Sequence, residues 1–369
     1  MNIGHKEKKR ISQMEPWIGE EEKQALVAYL DAGGWLTEFK KTREFEQTIA
    51  DYVGSKFAIV VSNGTVSLAI ALMALGVGPG DEVLVPDMTM LASATAVMLA
   101  GARPVFVDVE RTHLCVDLDQ VEHAINDHTR ALMLVSLNGR SPNMVRALEL
   151  CQRHKMWLLE DAAQSLGSWH GEKHLGTWGH IGSFSFSAPK VITTGQGGAL
   201  VTDDPVLAER MCKIKDFGRR QAGEDFYETV GFNFKFTDLQ AVIGIEQMKK
   251  LTWRVNRKKE MFSLYQRELA DVSQVEFLPT NLKEVSPWFI DVLVADPKGL
   301  HQHLDAHEIG SRPVYPALHS QPAFGLTGHF PNAEYVAEHG LWLPSSSFLL
   351  DEDIRVVCNV IRDYYKPVA

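Results

Sequence analysis

The stretch Phe57-Ala-Ile-Val-Val-Ser-Asn-Gly-Thr-Val-Ser-Leu-Ala-Ile-Ala-Leu-Met-Ala-Leu-Gly-Val-Gly-Pro-Gly-Asp-Glu-Val-Leu-Val-Pro86 reads as strand, turn, helix, turn and strand. Phe57–Val61 is a short apolar run, and Ser62-Asn-Gly-Thr65 closes it. Val66–Leu75 is Ala-rich, with the tightly packed faces of a buried helix. Gly78-Pro-Gly-Asp81 is a turn, and Glu82–Val85 is the next strand.

The same alternation extends in both directions. Upstream, Glu21–Ala32 and Arg43–Val53 are amphipathic helices. Downstream, helices Leu91–Ala100, Leu118–Ile125 and Val145–His154 alternate with strands Pro104–Val107, Ala131–Ser136 and Trp157–Glu160. Phe184–Ser187 and Gly198–Thr202 are short strands around a loop. The pattern predicts an α/β chain with right-handed crossovers and a mainly parallel sheet. Ligands of such sheets collect beyond the carboxyl ends of the strands. That directs attention to Ser62–Thr65, Pro86–Met90, Asp108, Ser136–Arg140 and Asp161–Ser165.

After Asp238 the character changes. Leu239–Val255 is a long helical pattern that continues through Arg257–Leu269, and shorter elements follow at Trp288–Val294, Leu300–His307 and Asp351–Tyr364. We place a large domain at residues 1–250 and a smaller C-terminal α/β domain at 251–369.

Composition narrows the function classes. The 369 residues are 45% hydrophobic and 23% charged, which excludes a disordered chain, a collagen repeat and a coiled coil. With 37 Lys+Arg against 47 Asp+Glu, the net charge is −10 and there is no basic stripe, so nonspecific nucleic-acid binding is not expected. The longest apolar stretch, near residues 66–77, carries Ser67 and Gly76 and is too short for a bilayer of about 30 Å. Met1–Arg10 is charged with no apolar core behind it, so no signal peptide is expected. Cys115, Cys151, Cys212 and Cys358 form no CxxC pair, as expected of reduced thiols in a cytoplasmic protein. His301 and His303 form a lone HxH, and no metal site is expected.

The chemistry concentrates around Lys190, which lies between an apolar strand and the loop Gly195-Gln-Gly-Gly198. Lysines normally decorate solvated surfaces. A partly desolvated lysine has a lowered pKa and can attack a carbonyl as a neutral amine. Asp161, at a strand end, has two readings: a partner for a protonated heterocyclic nitrogen, or a helix cap for Ala162–Leu166. Ser62–Thr65 joins a strand to a helix and can bind an anion, with Ser185 as a second hydroxyl source. The glycine loop lacks the GK[ST] ending of a phosphate-binding Walker motif, and no GxGxxG follows the first strand.

Taken together, these stretches resemble the DegT/DnrJ/StrS family of sugar aminotransferases. Val61–Thr65, Gly78–Pro86, Glu160-Asp-Ala-Ala-Gln-Ser165, Gly182–Gly198, Phe232–Thr237 and Ser311-Arg-Pro-Val-Tyr315 carry the likeness in order along nearly the whole chain. The resemblance implies the aspartate aminotransferase fold (fold type I) and pyridoxal 5′-phosphate as cofactor. Lys190 resembles the catalytic lysine that forms a Schiff base with the cofactor. Asp161 resembles the partner of the pyridine nitrogen, and Gln164 the residue beside the phenolic oxygen. Gly64, Thr65 and Ser185 resemble the phosphate cradle. Asn233 resembles a residue that reaches the phosphate from a neighbouring subunit, which implies a homodimer with shared active sites. A lysine at 190, where the dehydratase branch has histidine, argues for amino transfer.

Two departures bear on the substrate. Met90 stands where relatives commonly stack an aromatic on the pyridine ring, and Ser136-Leu-Asn-Gly-Arg140 replaces a Tyr-Gly-Gln type sequence. Asn138 and Arg140 are therefore substrate candidates. Among the branches, the chain resembles those acting on nucleotide-linked 4-keto-6-deoxy sugars, including GDP-perosamine synthase, with L-glutamate as amino donor. Arg219, Arg312 and His319 are further substrate candidates, as are Lys215, Arg220 and Lys235 for the nucleotide. Tyr227 and Trp288 could stack on a base or pack in the core. The competing readings are a 3-keto sugar nucleotide, a keto or aldehyde sugar acid without a nucleotide, a regulator that binds the cofactor without catalysis, and a nucleotide-dependent α/β enzyme.

Overall fold

Seven strands build the central sheet, and their order follows from where each helix crosses it. The computed structural model describes residues 10–221, 223–325 and 327–366; of the charged chain start only Arg10 lies within it. In chain order the strands are β1 (Phe57–Val61), β2 (Glu82–Pro86), β3 (Arg103–Val107), β4 (Thr129–Val135) and β5 (Trp157–Asp161). A two-residue hairpin, β6 (Trp169–His170) and β7 (Lys173–His174), precedes β8 (Ile181–Ser185) and β9 (Gly198–Thr202). The sheet order is β1-β9-β8-β5-β4-β2-β3, with β6 and β7 outside it.

β1 and β2 flank one helix, yet β9, β8, β5 and β4 lie between them. The helix, Gly64–Ala74, buries all of Ser67–Leu72. A helix apolar all round is a buried helix, and this one is enclosed by the sheet and by helices Ala92–Leu99 and Pro205–Lys215. Its side chains pack with Val83, Val85, Met133, Leu159 and Leu200. Leu84, Leu132, Leu134 and Leu158 point to the opposite face, against Val121, Ala147 and Leu150 of helices Leu118–Ala124 and Met144–Arg153. Successive strand residues face opposite sides, so β2, β4 and β5 are apolar on both faces, as a helix-covered parallel sheet requires.

β2, β3, β4, β5 and β8 run parallel to one another. β9 is the exception: it is antiparallel to both β8 and β1. Gly198 pairs with Ser185 on one side and Val61 on the other. A Cβ on Gly198 would lie 2.6 Å from the Asn63 carbonyl oxygen, so only glycine lets the strands close here. This reversed strand draws the Ser62–Thr65 turn, Ser185 and the loop carrying Lys190 to one end of the sheet.

The long helical pattern after Asp238 is two helices, Asp238–Lys249 and Leu251–Glu268, rather than one. The break is at Lys250, whose amide bonds back to Gln247 O at 3.1 Å. A second, antiparallel sheet follows, formed by β10 (Val275–Phe277), β11 (Ile290–Val294), β12 (Arg312–Pro313) and β13 (Gly340–Leu343) in the order β10-β11-β13-β12. The start of the described chain joins this part: Ile11 bridges Ile309, and the Ser345 amide donates to Gln13 O. One apolar cluster contains Phe45 and Phe186 together with Trp288, Phe289 and Trp342, so the two sheets share a core.

Asp238 ties the early helices to this frame. Its fully buried carboxylate accepts from the Phe39, Lys41 and Thr42 amides, from Thr42 Oγ1 and from Tyr29 OH. It thereby caps helix Lys40–Val53 from a residue almost 200 positions away. Burial alone would raise this carboxyl, but the bonds from Thr42, Lys41 and Phe39 outweigh it and hold it below the usual carboxylate range. Its stabilising contribution is therefore complete above the unfolded value of about 3.9 and lost as pH falls through the lower folded value. Asp238→Ala should lower unfolding stability by about 3 kcal/mol at neutral pH. Urea titrations of both proteins should converge as the pH is lowered toward 3; a gap that does not narrow would contradict this account.

Candidate active site

A cleft of about 440 Å³ opens beyond the carboxyl ends of β1, β2, β5 and β8. A volume of this order suits a small ligand held over most of its surface. Ser62, Asn63, Gly64, Thr65 and Ser185 line one part of it. Asn63 Oδ1 caps helix Gly64–Ala74 through the Val66 amide at 2.9 Å. The first-turn amides of Gly64 and Thr65 have no partner within the helix. A Cβ on Gly64 would meet Ser185 Cβ at 2.9 Å, so glycine keeps this corner open to a compact anion.

Lys190 and Asp161 line the same cleft. Asp161 ends β5 and is 5% exposed. Its Oδ2 accepts from Ser93 Oγ at 2.7 Å, and its Oδ1 accepts from the Ala163 amide at 3.2 Å. The single Ser93 proton is used on Asp161, so the 2.9 Å contact with Thr89 must have Thr89 Oγ1 as donor. Burial pushes the Asp161 carboxyl up, against these bonds and the charge of Lys190. Lys190 as a residue is part-exposed because it borders an open cleft. Its amine is nevertheless crowded by protein atoms, and burial pulls it down to about 8, with Asp161 opposing the shift. A lysine at that value is substantially a neutral amine near pH 8, ready to attack a carbonyl.

These residues fit pyridoxal phosphate. The Gly64–Thr65 corner suits its phosphate, the lowered lysine suits its aldehyde, and the buried carboxylate suits its ring nitrogen. Met90 lines the cleft, 44% exposed, with its Sδ accepting from the Ala92 amide. Gln164 also lines it, with its Oε1 held by the Asn138 amide at 2.8 Å.

Of the substrate candidates, Arg312 borders the cleft, with its guanidinium near the Trp342 and Tyr315 rings. The others do not border this chain's cleft, and Arg140, Asn138 and His319 are corrected. Arg140 is a buried strut: its side chain is 3% exposed, bonds twice to Asp291 and also donates to Thr280 Oγ1. Asn138, at φ +53°, spends its side chain on the backbone of Phe289, donating to the carbonyl at 2.8 Å and accepting from the amide at 2.6 Å. His319 is buried, with its amide on Asp87 Oδ1 at 2.7 Å and its Nδ1 on Asp87 Oδ2 at 2.6 Å. Arg219 pairs with Asp216 and Asp225, Arg220 with Glu224, and Lys235 with Asp216. Lys215 is buried between Glu38 and Glu46. Acids in the same chain already engage these cations, which is invisible in a list of basic residues. Asn233 is exposed, bridges Asp216 and does not border its own chain's cleft.

Sequence reasoning missed Ser93 and Tyr315 and left Trp288 undecided. Thr89, in the loop after β2, and Ser93, in the first turn of helix Ala92–Leu99, were a detectable pair of hydroxyls four apart. Tyr315 and Trp288 come from the smaller sheet's loops, and nothing local marks them as cleft residues.

The chain is a pyridoxal-phosphate-dependent aminotransferase. The chain belongs to the DegT/DnrJ/EryC1/StrS aminotransferase family, whose family model matches residues 16–362. It is 34% identical to a GDP-perosamine synthase of Caulobacter vibrioides over 359 residues, covering 94% of this chain and 96% of that one. A GDP-perosamine synthase of Vibrio cholerae is 30% identical over 363 residues, covering 96% and 99%. The crystal structure of S. venezuelae DesV in complex with a ketimine intermediate superposes with a TM-score of 0.90 at 32% identity, covering 95% of each chain.

The buried pair gives a test of the Arg140 correction. Asp291→Ala strands a buried guanidinium and should lower stability by about 3–5 kcal/mol in chemical denaturation. If Arg140 instead bound substrate, Asp291→Ala would raise KM while leaving the unfolding midpoint in place.

Proposed function

We propose that the chain moves an amino group from an amino acid, L-glutamate, to a nucleotide-linked 4-keto-6-deoxy sugar, as in GDP-perosamine synthesis. The observation that carries the amino-transfer step is the placement of Lys190 and Asp161 in one cleft whose other corner is the amino end of helix Gly64–Ala74. Support for the sugar comes from two relatives named GDP-perosamine synthase that match nearly end to end.

Bound pyridoxal phosphate supplies an aldehyde that condenses with amines and a protonated ring that accepts electron pairs. Gly64, Thr65 and Ser185 hold the phosphate. Asp161 keeps the proton on the ring nitrogen, with Ser93 and the Ala163 amide fixing the orientation of its carboxylate. Gln164, oriented by the Asn138 amide, would meet the cofactor's phenolic oxygen. Met90 packs on the ring through its thioether. Lys190 Nζ takes the proton from the substrate carbon in one half-reaction and returns a proton in the other. Arg312 meets the anionic part of a substrate. Asn233 serves the cleft of a second copy in a homodimer, a reading supported by its exposure and its absence from its own cleft. The enzyme works in the cytoplasm, where sugar nucleotides and glutamate are both available.

The decisive spectrum is that of the purified protein before and after L-glutamate. Wild type should show a band at about 410–430 nm that moves toward roughly 330 nm, and Lys190→Ala should lack it and lose activity by about 10⁴-fold or more. An intact band in that variant would sink the assignment. Amine transfer from glutamate to a GDP-linked 4-keto-6-deoxy sugar, compared with 3-keto and nucleotide-free acceptors, tests the substrate.

The lowered lysine also sets a pH dependence. The neutral amine is the nucleophile, so cofactor capture by the cofactor-free protein should accelerate as pH rises through about 8. An unperturbed lysine would give a midpoint near about 10.4.

A further inference from the structure

Trp288 is 3% exposed, yet it borders the cleft. Lys190 Nζ sits 4.2 Å from the centre of its ring. The indole is held from several directions. Its Nε1 donates to Pro189 O at 2.7 Å, the carbonyl next to Lys190 in the chain. Its ring stacks on Phe289, with centroids 3.8 Å apart and planes 20° from parallel, and Trp342 meets it edge-on at 5.7 Å. Its own carbonyl accepts from the buried Lys258 Nζ at 2.9 Å. Ring and lysine are thus keyed to the same peptide unit, and the ring has no room to swing away.

We propose that the indole face of Trp288 is the docking face of the Lys190 ammonium, which makes Trp288 a positioning residue for amino transfer. The inference rests on the role given to Lys190 above. In that role Nζ alternates between a free amine and an ammonium each time it takes up and returns a proton. The ammonium forms in a cleft that hydrates it poorly. Among the described residues no side chain or carbonyl hydrogen-bonds Nζ, and Asp161 acts on it only through space. A carboxylate in contact would hold the lysine permanently as a cation and remove its nucleophile. The face of an indole attracts the cation moderately and leaves the neutral amine free. It therefore supports the protonated form without trapping it. Other charged or titratable groups around Lys190 are Asp161 at the end of β5, Arg312 of β12 and Tyr315 just beyond it, with Lys258 behind the indole.

The test uses the full chain freed of cofactor and follows the rate at which added pyridoxal phosphate generates its protein-bound band, as a function of pH. Losing the ring face destabilises the ammonium. Trp288→Leu should therefore shift the midpoint of that rate profile down by about 1 pH unit, while Trp288→Phe, which keeps a π face, should move it less. At neutral pH the Leu variant should then capture cofactor faster than wild type. In the loaded enzyme its kcat should fall about tenfold, with the KM for glutamate within about twofold. General damage to the cleft would slow both processes and leave the midpoint in place. A wild-type midpoint in Trp288→Leu overturns the proposal. If that variant does not fold, biosynthetic replacement of tryptophan by its fluorinated analogues weakens the π face without changing its shape. The midpoint should then fall stepwise with fluorine content, and a constant midpoint overturns the proposal equally. A wild-type chain that forms no band at any pH would instead refute the reading of Lys190 itself.

Discussion

An amine and a carboxylate placed in one poorly hydrated cleft will pair unless the chain prevents it. Here Asp161 ends β5, while Lys190 follows the adjacent strand β8 by a short turn in which its amide bonds to Ser187 O. The Asp161 carboxylate is occupied from behind by Ser93 and by the Ala163 amide. Burial pushes both groups toward their neutral forms, the carboxyl upward against those bonds and the amine downward against the charge of Asp161. A ligand that brings a cationic nitrogen to one and a carbonyl carbon to the other relieves both costs. The central sheet exists, in this sense, to keep two groups apart at a useful distance.

The cleft also depends on how the smaller sheet is fastened to the larger one, because its loops and edge supply Trp288, Arg312 and Tyr315. The fastening is done by residues 138–140. Asn138 clasps the Phe289 backbone, and Arg140 grips Asp291 of β11 with two charge-assisted bonds. Such a buried pair costs desolvation on both sides and is most defensible as a device for register rather than for net stability. The segment that departs from the family's sequence pattern is thus a structural clamp, and it bears on the cleft through the Asn138 amide on Gln164 as well as through the Phe289 backbone next to Trp288.

Much of the fold was legible along the chain. Helices Pro205–Lys215 and Pro331–His339 and strand β13 were not read at all, but β1 and β9 begin and end where the apolar runs do, and most of the other elements read from the sequence differ by one or two residues. This follows because strands buried on both faces and helices with one apolar stripe leave strong periodic marks. The reversed direction of β9 and the distance between β1 and β2 left no such mark. Both depend on which strand edges meet, and Gly198 between Val61 and Ser185 is the one local trace of it. The break at Lys250 was equally hidden, since a single residue leaving the helical path does not disturb the apolar spacing on either side.

At the site, the sequence by itself determined the chemical groups that belong to strand ends: Lys190, Asp161, Gln164 and the Ser62–Thr65 turn. Their roles are set by local backbone geometry at the carboxyl edge of a sheet, which short motifs encode. The tertiary structure alone decided which charged residues were free to meet a ligand. Arg140, Lys215 and His319 each have an acidic partner from elsewhere in the fold, whereas Arg312 reaches the cleft. A side chain's availability depends on what packs against it. For long-range ion pairs that information is spread over the whole chain, and it becomes readable only when the two sheets close on their shared core.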